Sequence, residues 1–431
     1  MKILVLGSGG REHAITWKLR ESQQTETIYC APGNAGIAQE AECMAADLSK
    51  PEEMVSLARR VEADLTVVGP EAPLAAGVVD AFEQAGLPIV GPTRALARLE
   101  SSKAFAKEFM ARQGIPTARF SVAETHAAAL RTLENFSLPV VIKADGLAAG
   151  KGVAVARTRE DAERSLSEFM SERRLGDAGA RVVIEECLTG EEVSCIVLSD
   201  GRTVMPLAPS QDHKTLLDED EGPNTGGMGA YSDDAILDEE TRSAIAERII
   251  KPTFAGIEAE GASYRGFLYF GLMLTAQGPM LLEYNVRLGD PEAQPILMRL
   301  RSDFAELLRA TLEGNLGAHD AHWSPNPAVC VVLASGGYPG SPKTGDLVTG
   351  YDLAEKTGGV KVFHAATAFE DHRLLTSGGR VLGVTAIGED LPAAIQRAYA
   401  AVGKIEFPGM QYRHDIGAKG LRRHVTPSPA G

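Results

Sequence analysis

Lys143-Ala-Asp-Gly-Leu-Ala-Ala-Gly-Lys151-Gly152 decides which nucleotide-binding fold this chain adopts. The run looks like a phosphate-binding P-loop and departs from one. A Walker A loop puts four residues between its first Gly and the Gly-Lys pair, then Ser or Thr to hold magnesium. Here three residues separate Gly146 from Gly150, and Lys151 is followed by Gly152. The flanks differ as well. Pro139-Val-Val-Ile142 and Val153-Ala-Val-Ala156 both read as strands, whereas a P-loop opens a helix. Two strands joined by a mobile glycine-rich loop, with Lys143 on the entering strand, form another cradle for a nucleoside triphosphate.

At 431 residues the chain is too long for one ordinary core and suggests about three domains. Hydrophobic residues at 44% and charged residues at 23% are ordinary for a globular protein. A net charge of −15 argues against a nucleic-acid surface, which needs a basic patch to displace counterions. It leaves phosphate-bearing small molecules open, because their sites are local. No apolar run approaches the length of a membrane span, and no signal peptide is read at the N-terminus. The five cysteines are scattered without CxxC spacing and read as buried thiols of a cytoplasmic protein.

Residues 1–100 alternate strand and helix: Lys2–Leu6, Arg11–Arg20, Thr27–Cys30, Glu52–Glu62, Leu65–Val68 and a strand at Leu87–Val90. That pattern predicts a doubly wound parallel α/β domain. A second unit starts near Leu99, where Ser101 or Ser102 caps a helix with Phe105, Phe109 and Met110 on one face. Gly114 and Pro116 end that helix. The middle region mixes strands and helices to about residue 318, and His322–Pro327 reads as a linker. A small third α/β unit follows, with strands Ala328–Ala334 and Arg380–Thr385, the latter in a hairpin, and a helix Asp390–Val402 stopped by Gly403. Residues 423–431 are expected to be disordered.

Several short motifs carry chemistry. Gly7-Ser-Gly-Gly10-Arg11-Glu12, between a strand and a helix, can offer backbone N–H groups to a phosphate. A dinucleotide fingerprint wants Gly or Ala where Glu12 stands and an acid ending the second strand, which instead ends Ala31-Pro-Gly-Asn34. A monophosphate fits better, and a packing turn remains the alternative. Gly69-Pro70-Glu71 ends another strand at the edge where ligands bind, so Glu71 could receive a ribose or simply start a helix. Val182–Glu192 runs from a strand into an acidic connector, suited to an adenine edge and ribose hydroxyls or merely solvated. In Leu281–Glu292, strand period two puts Glu283, Asn285 and Arg287 on one face, with Leu282, Tyr284 and Val286 on the other. A carboxylate beside an amide oxygen suits Mg²⁺ shared with phosphates, and Arg287 can neutralise a transferring phosphoryl group. Gln211-Asp212-His213-Lys214 and the glycine-rich 222–231 stretch suggest backbone near a ligand, or an exposed loop.

Taken together, these stretches resemble the glycinamide ribonucleotide synthetases, an ATP-grasp family of purine biosynthesis. The resemblance rests on GSGGREHA (7–14), GPEAPL (69–74), SKAFAKEFM (102–110), IKADGLAAGKG (142–152), QDHK (211–214), GPNTGGMGAY (222–231) and EYNVRLGDPE (283–292), with GGRVLGVTA (378–386) extending it to the last domain. It implies an N-terminal substrate domain (1–100), an ATP-grasp domain (101–318, with a glycine-rich lid subdomain at about 120–190) and a C-terminal domain (327–422). It also implies ligation of glycine to 5-phosphoribosylamine through glycyl phosphate, using ATP and Mg²⁺ or Mn²⁺, in a cytoplasmic monomer or weak homodimer.

By that resemblance Lys103 and Lys143 hold ATP phosphates under a lid containing Gly146, Gly150, Lys151 and Gly152. Glu185, Glu186, Leu188 and Glu192 hold adenosine, and Glu283 and Asn285 hold the metal. Arg287, Asp290 and Asp212 are the catalytic set, placed on glycine or its acyl phosphate. Gly9, Gly10, Asn34, Pro70, Glu71, Lys214 and Gly289 bind substrate. Departures from the family are a strand Phe267–Leu274 with no metal-binding acid, Ser101 where Gly is common, and Leu288 where Phe is common. The rivals are an ATP-grasp ligase or carboxylase with another acceptor, an NAD-dependent oxidoreductase, and a nucleotide sensor without catalysis.

Overall fold

A computed structural model gives the fold and describes residues 1–148 and 152–425; Gly150 and Lys151 lie outside the described residues. Strands β1 (Lys2–Gly7), β2 (Thr27–Pro32), β3 (Glu42–Cys43) and β4 (Leu65–Val68) form one parallel sheet in the order β3-β2-β1-β4. Ile3 to Leu6 have no exposed surface, as expected for a parallel strand covered on both faces. The expected strand at Leu87–Val90 is reduced to a single bridge between Val67 and Val90. Thr66 N–H bonds Pro88 O and Val90 N–H bonds Thr66 O. Pro88 has no N–H with which to extend the ladder.

Strands β5 (Phe120–Ala123), β6 (Val140–Ala144), β7 (Val153–Ala156) and β8 (Val182–Glu186) form an antiparallel sheet ordered β5-β8-β6-β7. The glycine-rich run therefore joins two antiparallel strands and does not open a helix. Helices His126–Leu133 and Arg159–Leu166 cover the sheet, and Ala129, Ile142, Leu166 and Ile184 close a core of their own.

The largest sheet is built from β9 (Glu191–Asp200), β10 (Val204–Pro206), β11 (Ser210–Asp212), β12 (Gly229–Ser232), β13 (Arg265–Thr275), β14 (Gly278–Asn285), β15 (Ala328–Ala334) and β16 (Val360–His364). Two further strands, β17 (Thr367–Glu370) and β18 (Arg373–Thr376), make a separate hairpin, and β19 (Arg380–Ile387) completes the large sheet. Its order is β14-β13-β9-β11-β12-β15-β19-β16, with β10 on β9. The β12–β15 pairing, Gly229 to Val331 through Ser232 to Ala328, carries the sheet across from the central region into the C-terminal unit. β19 pairs with β15 and β16 and is not part of a hairpin.

The chain end corrects another expectation. Residues 418–425 form a helix, so the first residue of the expected tail is ordered: Arg423 donates to Tyr231 Oη (3.3 Å) and pairs with Glu191 (2.6 Å), while residues 426–431 lie outside the described residues. Lys419 of the same helix pairs with Asp220 (2.6 Å). Two basic residues of this helix thus find acidic partners on the central sheet and its loops.

Candidate active site

A cleft of about 980 Å³ runs between the lid sheet, the large sheet and the N-terminal domain. Its cationic wall starts on the helix Lys103–Arg112, capped by Ser102 Oγ accepting from Phe105 N–H. Lys103 and Lys107 are one helical turn apart and share a face. Lys103 Nζ donates to Gly146 O (2.9 Å), at the start of the glycine-rich run. Lys107 meets Glu185 Oε2 at 2.9 Å, and Lys143 on β6 meets Glu185 Oε1 at 3.1 Å. Glu185, expected at adenosine, lines the cleft as the shared counter-ion of two lysines, its side chain only 2% exposed. β8 lies between β5 and β6, which delivers that carboxylate beneath Lys143. Burial pulls the Lys107 pKa down to about 8, against the pull of Glu185. Glu186 accepts from Arg119 N–H (2.8 Å), and Leu188 and Glu192 line the cleft.

Opposite stands β14, whose register with β13 slips: Gly271 faces Glu283 while Leu272 faces Leu281. Leu282 is the extra residue of this bulge, and a bulge re-aims a side chain. Leu282 consequently lines the cleft, while Leu281 and Tyr284 enter the core. Glu283 and Asn285 share the cleft side as expected. Burial would raise the Glu283 pKa, but Lys214, Lys143 and Lys103 outweigh it and hold the carboxyl down to about 2. Lys214 pairs with Glu192 and, at 3.4 Å, with Glu283. With its amide NH₂ turned to Glu100 Oε1 (3.0 Å) and Tyr284 O (3.3 Å), Asn285 directs its oxygen to the other side of the amide. The β13 residues opposite Glu283 and Asn285 are Gly271 and Tyr269, so no second carboxylate faces them from that strand. Among the described residues no group of three or more His, Cys, Asp or Glu is arranged to hold a metal. An ionised carboxylate beside one amide oxygen still fits a hard cation that keeps water and phosphate as its other ligands.

Arg287, just beyond β14, joins the domains. It bonds Glu100 (2.6 Å) and Glu71 (3.3 Å), and Val286 N–H also donates to Glu100 (2.7 Å). Burial drives the Glu100 pKa up to about 7, Arg287 opposing and Glu71 adding to the rise. Arg287 itself is shifted up: burial opposes the charge, but Glu100, Glu71 and Glu292 more than compensate.

Asp290 sits where three parts of the chain meet. Its carboxylate takes Arg380 at 2.8 Å and Gln294 at 2.8 Å, and Arg380 also bonds Gly226 O. A Cβ on Gly9 or Gly10 would come within 3.6 Å of that carboxylate, so the first turn packs directly over it. Burial acts to raise the Asp290 pKa, and Arg380 and Arg11 reverse it.

The first turn is shaped by Glu12. Its Oε2 accepts from Gly9 N–H (2.5 Å) and its Oε1 takes Arg11 Nε (2.7 Å). A Cβ on Gly69 would lie 2.0 Å from Glu12 Oε1. The carboxylate therefore fills the gap between the two glycine turns, which removes the room a dinucleotide pyrophosphate would need. Pro70, Glu71 and Arg11 line the cleft beside it. Asn34 is fully occupied: its NH₂ donates to Ser8 O and His364 O, and its Oδ1 accepts from Gly36 and Ile37 N–H. It braces the turn and the C-terminal unit. Gly289 packs against Glu292 so closely that a Cβ there would lie 2.4 Å from Glu292 Oε2.

Asp212, at the end of β11, lines the cleft with one buried oxygen lacking any partner. Its pKa is pushed well up by burial, with Lys214 opposing and Glu292 and Glu192 adding to the rise. Neighbouring His213 is buried behind it, its pKa lowered to about 3 by burial and by Arg413. The loop after it returns through Thr225 to Lys214 and ends beside Arg380.

Thus the structure brings Lys103, Lys143, Gly146, Gly152, Glu192, Asp212, Lys214, Glu283, Asn285, Arg287 and Asp290 around one cleft. Sequence reasoning missed Glu100, Lys107 and Arg380. Lys107 was findable from its i+4 spacing to Lys103, and Arg380 stands in the glycine motif at 378–386; nothing local marks Glu100.

An antiparallel lid sheet with a cleft lysine, facing a sheet that carries an acid-amide pair, defines an ATP-grasp enzyme, a fold that implies ATP use. The chain belongs to the phosphoribosylglycinamide synthetase family: the family's N domain matches residues 1–100, its ATP-grasp domain 101–293 and its C domain 328–419. It is 51% identical over 425 residues to the phosphoribosylamine–glycine ligase of Neisseria meningitidis, covering 98% of this chain and 100% of that one. It is 49% identical over 424 residues to that of Ralstonia nicotianae, with 98% and 100% covered. The crystal structure of phosphoribosylamine–glycine ligase from Thermotoga maritima superposes with a TM-score of 0.83 at 36% identity, covering 96% of this chain and 100% of that one.

Proposed function

We propose that this chain ligates glycine to 5-phosphoribosylamine with cleavage of ATP to ADP and phosphate, giving glycinamide ribonucleotide. One observation carries the site assignment: Glu283 is kept ionised at the focus of Lys103, Lys143 and Lys214, on the same cleft wall as the Asn285 amide. Such a group holds a divalent cation, Mg²⁺ or Mn²⁺, when phosphates complete the coordination. That cation would screen the charge between β- and γ-phosphates.

A glycine carboxylate oxygen attacks the γ-phosphorus, the bond to ADP breaks, and glycyl phosphate forms. The amine of phosphoribosylamine then attacks the glycyl carbonyl, phosphate leaves, and the nitrogen gives up a proton. Nothing in this sequence requires a covalent enzyme intermediate; positioning and charge neutralisation suffice. Lys103 and Lys143 hold phosphates, and Gly146, Gly150, Lys151 and Gly152 belong to the cover. Arg287, bonded to both Glu71 and Glu100, sets the acyl phosphate beside the acceptor domain. Asp212 and Asp290 flank the glycine, and Lys214 and Gly289 contribute on the same side. Gly9, Gly10, Pro70 and Glu71 receive phosphoribosylamine. The backbone of the Glu185–Leu188 connector and the Glu192 side chain receive adenosine. The reaction is expected in the cytoplasm, where free thiols persist, and in a monomer or weak homodimer.

The experiment is ADP release with glycine and freshly prepared phosphoribosylamine, each omitted in turn. Release that depends on both supports the reading. Release that persists without phosphoribosylamine but needs another acceptor would assign the site to a different ligation.

A further inference from the structure

Between the lid sheet and the helix Lys103–Arg112 lies one carboxylate with no role in the chemistry above. Asp145 follows β6 directly, and its side chain is 5% exposed. Oδ1 accepts from Ser102 Oγ (2.9 Å) and from Ala104 N–H (3.0 Å), in the first turn of that helix. Oδ2 accepts from Arg181 Nε (2.6 Å). The backbone takes part too: Asp145 N–H donates to Arg181 O (2.9 Å), so Arg181 grips the residue from both sides. Arg181 also reaches Ser102 Oγ (3.3 Å), closing the ring.

On either side of this ring stand the two lysines placed on ATP phosphates. Lys143 lies two residues before Asp145, and Lys103 is the residue between Ser102 and Ala104. Lys103 Nζ already reaches the next residue along, Gly146 O, at 2.9 Å. We infer that Asp145 is a positioning residue for ATP: its carboxylate seats the helix start bearing Lys103 against the strand end bearing Lys143, fixing the spacing of the two ammonium groups. Charge-assisted bonds to a helix N-terminus and to an arginine are the strong kind, so one side chain can set this alignment.

The charge of Asp145 also reaches Lys103. Burial lowers the Lys103 pKa; Glu283, Asp145 and Glu100 oppose that fall, and Lys143 adds to it. Removing the Asp145 charge lowers it further, so Lys103 would lose its proton at a lower pH. A role confined to holding the fold would not move the alkaline limb of the pH profile for ATP.

This inference rests on the reading of Lys103 as a phosphate ligand, and the test separates the two. ATP binding by calorimetry, and kcat and KM, are measured on full-length Asp145→Asn, Arg181→Met, Lys103→Met and the Asp145→Asn/Lys103→Met pair, each checked for an unchanged melting temperature. The Asn variant keeps an oxygen for Ala104 N–H and loses the charge. Expected are a KM for ATP raised ~tenfold in Asp145→Asn with a smaller change in kcat, and a lesser rise in Arg181→Met. The alkaline limb of kcat/KM for ATP should move to lower pH, and the double variant should be no worse than Lys103→Met. If Lys103→Met weakens ATP while Asp145→Asn binds within twofold of the parent, or if the two losses simply multiply, the positioning role is overturned. If Lys103→Met itself binds ATP normally, the phosphate reading fails first and the inference falls with it.

Discussion

Glu100 takes a 2.6 Å hydrogen bond from Arg287 across 187 positions of chain. The carboxylate comes from the helix that closes the N-terminal domain, and the guanidinium from two residues beyond a strand of the large sheet. Replacing Glu100 with Gln keeps an acceptor but removes the charge that orients Arg287. Kinetics should show kcat/KM for glycine reduced ~10- to 100-fold, and an unchanged value would separate Arg287's position from catalysis.

The same residue makes a pH prediction. Its pKa is about 7 folded against an ordinary 4.5. Between those values the folded protein binds more protons than the unfolded chain, so this group's contribution to stability falls as pH rises from about 4.5 to about 7. Urea melts across that window should show a steeper decline for the parent than for Glu100→Gln, and parallel profiles would refute it.

Glu283 has the opposite sign. A pKa near 2 folded, against 4.5, means its stabilisation is present above about 4.5 and is lost as pH falls toward 2. Its Gln variant should lose ~10³-fold or more in ADP release with circular dichroism unchanged. Near-normal turnover would remove the metal assignment.

Glu185→Ala leaves Lys107 and Lys143 buried without their shared partner. Breaking a buried pair from one side costs about 3–5 kcal/mol, which thermal melting should register. A melting temperature matching the parent would show that the lysines find other partners.

Ending the chain after Gly417 removes both Lys419–Asp220 and Arg423–Glu191. Glu191 also holds Gln211, whose amide donates to the Glu192 carbonyl. The shortened protein should therefore show a raised KM for ATP, measured by initial rates. An unaltered KM would restore the view of these residues as a passive tail.

The parallel N-terminal strands, the lid strands and the Glu283–Asn285 pair were legible because each depends on local pattern: apolar runs, glycine spacing, period two. Leu282 was misplaced because a bulge is a property of two strands, and Gly271 lies on the other one. Asn34 and Glu185 carry side chains typical of ligand sites, yet their partners, His364 O and Lys107, are fixed by packing between distant segments. The helix at 418–425 depends on acids at 191 and 220, which no reading of its own composition reveals.

The pairing of Gly229–Ser232 with Ala328–Ala334 has a practical consequence. A fragment stopping before residue 328 would leave Gly229–Ser232 as a raw edge, its main-chain donors and acceptors offered to any passing strand. Such a fragment should precipitate or swap strands with its neighbours. The family's named domains are thus segments of sequence that do not make separable parts: the ATP half of this enzyme is finished only when the last hundred or so residues have been synthesised and have zipped onto it.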